Sequence, residues 1–297
     1  MPSREFSEIM ALIPADFADP KADHLAVRAM LKPFHGHAVP EHITVRESVL
    51  GAVRVAWYGE EASPPGDRVA FHCHGGGFVS CPLDDYHFYG AMLVEQLGMR
   101  VVLQDYRLAP EHVYPAAHDD CLSAYRGLLD SGVDPDRLVV MGDSCGGGLA
   151  LSTLIAARDE GLAMPACFVS ISGWFDLSVA RPNEVGPDPF LTAGWVRHRG
   201  RDYTAGQVAL DDPRVSPAFA DLEGLPPLYL PVGEYDTLRE GVAALAEAAR
   251  RAGVAVTLER WPGVGHGWHG LVGMGVPEAI EAWRATSKFI DAALSPS

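Results

Sequence analysis

Leu138-Val-Val-Met-Gly-Asp-Ser-Cys-Gly-Gly-Gly148 reads as a short apolar run, a glycine-flanked turn and the start of a second apolar stretch, Leu149-Ala-Leu-Ser-Thr-Leu-Ile155. The first run is strand-like in length, and the second is long enough, with the glycines before it, to open a helix. Between them, Gly142-Asp143-Ser144-Cys145-Gly146 is a G-x-S-x-G elbow. Such a turn is too tight for side chains at its flanks, so both flanking positions are glycine. It lifts the Ser144 hydroxyl clear of the strand and sets it at a helix N-terminus, where the dipole favours developing negative charge. The pentapeptide alone is weak evidence. Its place between a strand and a helix makes Ser144 a candidate nucleophile.

Working outward, compact apolar runs alternate with amphipathic stretches. Ile43–Val49 and Val53–Tyr58 read as an antiparallel hairpin turning at Leu50-Gly51. Arg68–Cys73, Arg100–Gln104, Arg137–Met141, Ala166–Ser170, Pro227–Val232 and Val254–Glu259 read as further strands. Helices are expected at Asp85–Leu97, Ala117–Ser131, Cys145–Glu160, Arg239–Ala252 and Pro277–Ala293. This alternation predicts one α/β domain over residues 1–297, built on a mostly parallel sheet covered on both faces. Functional residues should then lie just beyond the carboxyl ends of the strands. Residues 1–40 and 178–217 break the pattern and are too short to be domains; they are expected to form a small helical cap over that edge.

His74-Gly75-Gly76-Gly77-Phe78 follows the strand ending at Cys73. Its glycines let backbone N–H groups crowd a substrate oxygen, so Gly76 and Gly77, with the Cys145 N–H, are the expected oxyanion donors. His74 and Gly75 are read as loop supports, and Asp143 as support for the elbow. A metal pair formed by His72 and His74 is the competing reading, but no third ligand is evident nearby, so no metal or cofactor is expected. A serine needs a general base. After Ser144 the histidines are His198, His266 and His269. His198 falls in an Arg-rich stretch. His266, in Gly263-Val-Gly-His-Gly-Trp268 after the last strand, is the favoured base; spacing alone does not exclude His269. The acid should follow the preceding strand, in Gly233-Glu-Tyr-Asp-Thr-Leu238, with Asp236 favoured over Glu234.

Composition limits the partners. The chain is 48% hydrophobic and 21% charged with a net charge of −16, as expected of a globular protein with a sizeable core. Such a field repels nucleic acid and anionic membrane surfaces, so a small neutral substrate is expected. No apolar run approaches the ~20 residues a membrane span needs. No signal peptide is visible at the N-terminus, and Cys73, Cys81, Cys121, Cys145 and Cys167 form no CxxC pair. Reduced thiols in a cytoplasmic setting are the expectation.

Over residues 68–290 the chain resembles the bacterial hormone-sensitive-lipase-like carboxylesterases of the α/β-hydrolase fold. The resemblance rests on His74–Phe78, Asp105-Tyr-Arg-Leu-Ala-Pro-Glu-His112, Tyr114-Pro-Ala-Ala117, Gly142-Asp-Ser-Cys-Gly-Gly147, Asp212-Pro-Arg-Val-Ser-Pro217, Gly233–Leu238 and His266-Gly267, in the family's order. It implies a Ser144–Asp236–His266 triad, a helical N-terminal cap, no metal or organic cofactor, hydrolysis of short-chain esters, and a homodimer of the kind many relatives form. Two departures stand out. Cys145 replaces the family's usual alanine beside the nucleophile, and the acid loop continues as Leu238-Arg-Glu-Gly241 where two acids are usual. The same equipment would open lactones. A non-catalytic receptor on this fold is the alternative from another class, although such binders typically lose the histidine, which is present here.

Overall fold

The β-branched runs pair into one sheet in the computed structural model, which describes residues 2–14, 17–35, 37–59, 67–180, 186 and 188–295. Among these residues the strands are β1 (Thr44–Leu50), β2 (Val53–Gly59), β3 (Val69–Cys73), β4 (Arg100–Gln104), β5 (Leu138–Asp143), β6 (Cys167–Ile171), β7 (Leu228–Gly233) and β8 (Val256–Trp261). Their order is β1-β2-β4-β3-β5-β6-β7-β8. The β1–β2 hairpin is antiparallel, β2 runs antiparallel to β4, and every pair from β4 to β8 is parallel. The hairpin is closed by Leu50 opposite Val53. Gly51 turns it with φ +58°, where a Cβ would lie 2.4 Å from the Ser123 hydroxyl oxygen.

The helices are α1 (Arg4–Met10), α2 (His24–His35), α3 (Leu83–Leu97), α4 (Ala116–Asp130), α5 (Cys145–Asp159), α6 (Ala193–Thr204), α7 (Arg239–Arg251) and α8 (Pro277–Ala293). Successive strand residues point to opposite faces, and the core divides accordingly. Phe71, Val140, Phe168 and Leu230 pack in one cluster with residues of α4, α5 and α7, while Ala70, Val139, Met141, Val169 and Tyr229 pack in the other with residues of α3 and α8. Both faces being covered explains why the central strands are apolar throughout rather than alternating.

The expected elements agree with these to within about two residues; the largest shift is β8, which begins at Val256 rather than Val254. The stretch expected to cap the sheet at 178–217 holds α6, while 181–185 and 187 lie outside the described residues, as do 1, 15, 16 and 36 of the N-terminal stretch. The two stretches touch: Thr192 Oγ1 donates to the Ala18 carbonyl at 3.2 Å, and Arg199 Nη2 to that of Ala22 at 2.8 Å. Arg28 of α2 ties the N-terminal stretch to the sheet's loops, donating to the carbonyls of Val79 and Ala109 and pairing with Glu111.

Candidate active site

β5 lies at the centre of the sheet, and Ser144 follows it directly with φ +52° and ψ −124°. A non-glycine residue held there stores about 1–3 kcal/mol of strain, and persists only where neighbours over-determine it. Three backbone bonds do so: Ser144 N–H to the Ile171 carbonyl, and Trp174 and Gly147 N–H to the Ser144 carbonyl, at 2.9–3.1 Å. The flanking glycines are sterically required. A Cβ on Gly142 would lie 2.4 Å from the Gly146 oxygen, and one on Gly146 would lie 2.1 Å from that of Cys73.

The acid and histidine loops follow β7 and β8, which pair in parallel, so their carboxyl ends are neighbours. Glu234 N–H donates to the Trp261 carbonyl and Tyr235 N–H to that of Val264. Gly233 allows this approach, since a Cβ there would meet the Val264 and Gly265 oxygens at 2.6 Å. The result brings three of the expected residues together. His266 Nε2 lies 3.0 Å from Ser144 Oγ, and its Nδ1 lies 3.3 and 3.2 Å from the two Asp236 oxygens. Asp236 is fully buried, and its Oδ1 also accepts the Leu238 N–H at 2.8 Å. Burial pulls the His266 imidazole towards neutrality, but the negative charges of Asp236 and Asp188 outweigh it and hold its pKa above the ordinary value.

The competing residues go elsewhere. Glu234 accepts the Gly263 N–H at 2.8 Å. His269 is fully buried between Trp268 and Trp283, and burial drives its pKa down to about 3. His198 sits on α6, 3.8 Å from Asp202. His72 and His74 also part company: His72 Nε2 lies 2.9 Å from Asp143 Oδ1, whereas His74 donates from Nδ1 to the Gly75 carbonyl and stacks on Tyr106 at 4.0 Å. Burial pushes His74 down to a pKa of about 4, so it is neutral. Among the described residues, the group with metal-ligand spacing is Glu47, Asp84 and His87, and the Arg54 guanidinium already pairs with both of its carboxylates.

The glycine loop after β3 turns through left-handed conformations at Gly76, Gly77 and Phe78, with φ of +109°, +65° and +66°. It is held at both ends. Asp143 Oδ1 accepts the Gly75 N–H at 2.9 Å, and its Oδ2 accepts the Tyr86 hydroxyl at 3.1 Å. Further on, the Cys145 thiol accepts the Phe78 N–H at 3.2 Å. The side chain that replaces the usual alanine is therefore a strut to the glycine loop; it is fully buried, and burial pushes its thiol up to about 12. Of the aromatics around the elbow, Tyr86, Trp174 and Phe175 are buried core residues, and Trp195 packs its ring against Gly77.

Sequence reading missed Asp188 and Ser172. Ser172, with φ +51°, accepts the Gly267 N–H at 3.1 Å. Asp188 is buried and accepts N–H groups from Phe190, Thr237 and His266. Burial, then the Asp236 charge, raises its carboxyl to about 6. Neither carries a local signal, because these side chains' partners lie 49–95 residues away apart from the Phe190 turn.

Comparison with known proteins agrees with this architecture. The profile of the family described as alpha/beta hydrolase fold matches residues 70–270. An acetyl-hydrolase of Streptomyces hygroscopicus is 36% identical over 237 residues, 71% of this chain and 78% of its own. An esterase of Acinetobacter venetianus is 31% identical over 83% of this chain and 82% of its own. A crystal structure of an esterase from the bacterial hormone-sensitive lipase family superposes with a TM-score of 0.91 at 30% identity, covering 99% of this chain and 100% of that one. The chain belongs to the α/β-hydrolase fold family and, within it, to the bacterial hormone-sensitive-lipase-like carboxylesterases.

Proposed function

We propose that the protein is a serine carboxylesterase that cleaves short- to medium-chain neutral esters through an acyl-enzyme on Ser144. The observation that carries this reading is the unbroken series Ser144 Oγ, His266, Asp236, at 3.0 and 3.2 Å, at the carboxyl edge of the sheet. His266 Nε2 takes the hydroxyl proton as Ser144 Oγ attacks the ester carbonyl, and Asp236 fixes the tautomer and balances the imidazolium. The N–H groups of Gly76, Gly77 and Cys145 are the proposed oxyanion donors, where one donor is worth about 3 kcal/mol. His266 then protonates the leaving alcohol, and water repeats the sequence on the acyl-enzyme.

Supporting the substrate class are the net charge of −16, which suits neutral esters, and a relative named for acetyl hydrolysis. We read residues 1–40 and 178–217 as a cap on one catalytic domain, a reading supported by their contacts at Ala18 and Ala22. A cytoplasmic location is proposed from five buried, unpaired thiols, and a homodimer from the family resemblance alone.

Initial rates on p-nitrophenyl esters from acetyl to dodecanoyl, beside medium-ring lactones, test the activity. Ser144→Ala should lose turnover by at least about 10⁴-fold and take no fluorophosphonate label. Full turnover by that variant would refute the nucleophile. Faster opening of lactones than of linear esters would move the assignment to a lactone hydrolase, and absence of labelling in the native chain would favour a receptor.

A further inference from the structure

Asp188 is a second buried carboxylate at the histidine, and the mechanism above does not use it. It enters from the stretch before α6, outside the sheet. Its Oδ2 accepts the Thr237 N–H, next to Asp236, at 2.9 Å, while Oδ1 accepts the Phe190 N–H at 2.9 Å and the His266 N–H at 3.3 Å. One carboxylate thus holds backbone from the acid loop, the histidine loop and the cap stretch. The join is reinforced by Thr237 Oγ1, which donates to the Leu191 carbonyl at 2.9 Å, and by Gly265, where a Cβ would lie 3.0 Å from Asp188 Oδ1. A residue that only spliced loops together could be neutral. A buried anion beside Asp236 costs more, because two like charges share one desolvated space. That cost is offset where a positive charge appears close to both, and the imidazolium of His266, on which both carboxylates act, is such a charge.

We infer that Asp188 is a positioning residue for the proposed reaction, fixing the acid and histidine loops against each other and supplying a second negative charge that stabilises the imidazolium of His266. The inference rests on the reading of Ser144 and His266 as nucleophile and base. The titratable groups acting on the pair are Asp236 from the acid loop, Asp143 from the elbow and His266 itself, with Glu234, Tyr235 and Arg239 around the acid loop. Asp188 has its carboxyl raised by burial and by Asp236, and it remains ionised at neutral pH.

The test is the pH profile of D188N, whose amide keeps the size and one acceptor oxygen but not the charge. Removing an anion near an imidazole lowers its pKa. The acid limb of kcat/KM, and of fluorophosphonate labelling, should therefore move down by about one pH unit. At the plateau kcat should fall about tenfold, with KM within about twofold of the native value. Asp188→Glu should restore the position of the limb even if its rate is lower. A folded D188N whose limb superposes on that of the native protein overturns the inference and leaves only a structural splice. If D188N fails to fold, the native protein with ¹³C-labelled aspartate carries the test. Asp188 must be ionised between about pH 7 and 8, and a carboxyl protonated there overturns the inference. Failure of the functional reading looks different: the native protein would take no label at any pH, or His266→Ala would label as fast as native.

Discussion

Replacing Asp143 by alanine tests how the glycine loop is tied to the elbow. Its carboxylate holds three groups: His72 Nε2 at 2.9 Å, the Gly75 N–H at 2.9 Å and the Tyr86 hydroxyl at 3.1 Å. His72 and Tyr86 are buried, so neither can replace its bond to the carboxylate with one to water. An unmet buried donor costs about 1–3 kcal/mol, and Gly75 is buried as well, so three lost bonds near the low end of that range give about 3–5 kcal/mol in all. In a chain of this size that lowers Tm by roughly 6–10 °C. Asp143→Asn keeps an acceptor for Gly75 and an amide that the Tyr86 oxygen can accept from, so it should recover more than half of the loss. The effect also has a pH signature. Burial pushes the Asp143 carboxyl up, but the bonds and charges of His72, with His74 and Tyr86, outweigh it and hold it below the ordinary range. A group depressed in the folded state contributes stability that is present above its unfolded pKa of about 3.9 and lost as pH falls through the folded value. The gap between native and D143A melts should therefore be full at pH 7 and narrow below about pH 4. Differential scanning calorimetry measures both. If D143A melts within about 2 °C of native at pH 7, or if D143N is no better than D143A, the carboxylate does not carry this network.

Two further outcomes follow from the site. His266 must be neutral to act as base, and its pKa is held above ordinary because Asp236 and Asp188 outweigh burial; the acid limb of kcat/KM on a neutral ester should lie above about pH 6.5, with activity lost as pH falls through it. A limb at or below that value contradicts the charge balance. The Cys145 thiol is buried and held protonated by burial, with a pKa near 12, so a thiol-disulfide reagent should leave native activity intact over minutes, and all five thiols should react only after denaturation. Rapid inactivation that Cys145→Ala resists would show the thiol to be accessible.

Much of the site was legible because a parallel sheet turns chain order into spatial order. β5, β7 and β8 lie in that sequence along the sheet, so the loops after them present Ser144, Asp236 and His266 at one edge. The glycines were legible for a steric reason: at Gly142, Gly146 and Gly233 a Cβ would meet backbone oxygen within 2.6 Å. Choices between neighbours were less legible. His266 and His269 are three residues apart and identical in chemistry, and only packing against Trp268 and Trp283 removes His269 from the edge. Cys145 read only as a thiol in place of alanine beside the nucleophile, whereas its Sγ faces the N–H of Phe78, 67 residues earlier.

Asp188 marks the limit of pattern reading and its cause. Strands and helices repeat, so their faces can be inferred from spacing, but the stretch before α6 repeats nothing. Its aspartate sits among Pro and Gly residues, where a turn-capping role accounts for the residue type just as well. The bond from Phe190 N–H is that local turn; those from Thr237 and His266 exist only once β7 and β8 have delivered their loops. The stretch before α6 is thus tied by one carboxylate to the backbone of both loops. Changes that loosen α6 against the N-terminal stretch, at Thr192 or Arg199, therefore have a direct route to the imidazole through Leu191, Thr237 and Asp188. In this fold the sheet determines which residues meet, and the Asp188 carboxylate ties the stretch before α6 to the acid and histidine loops.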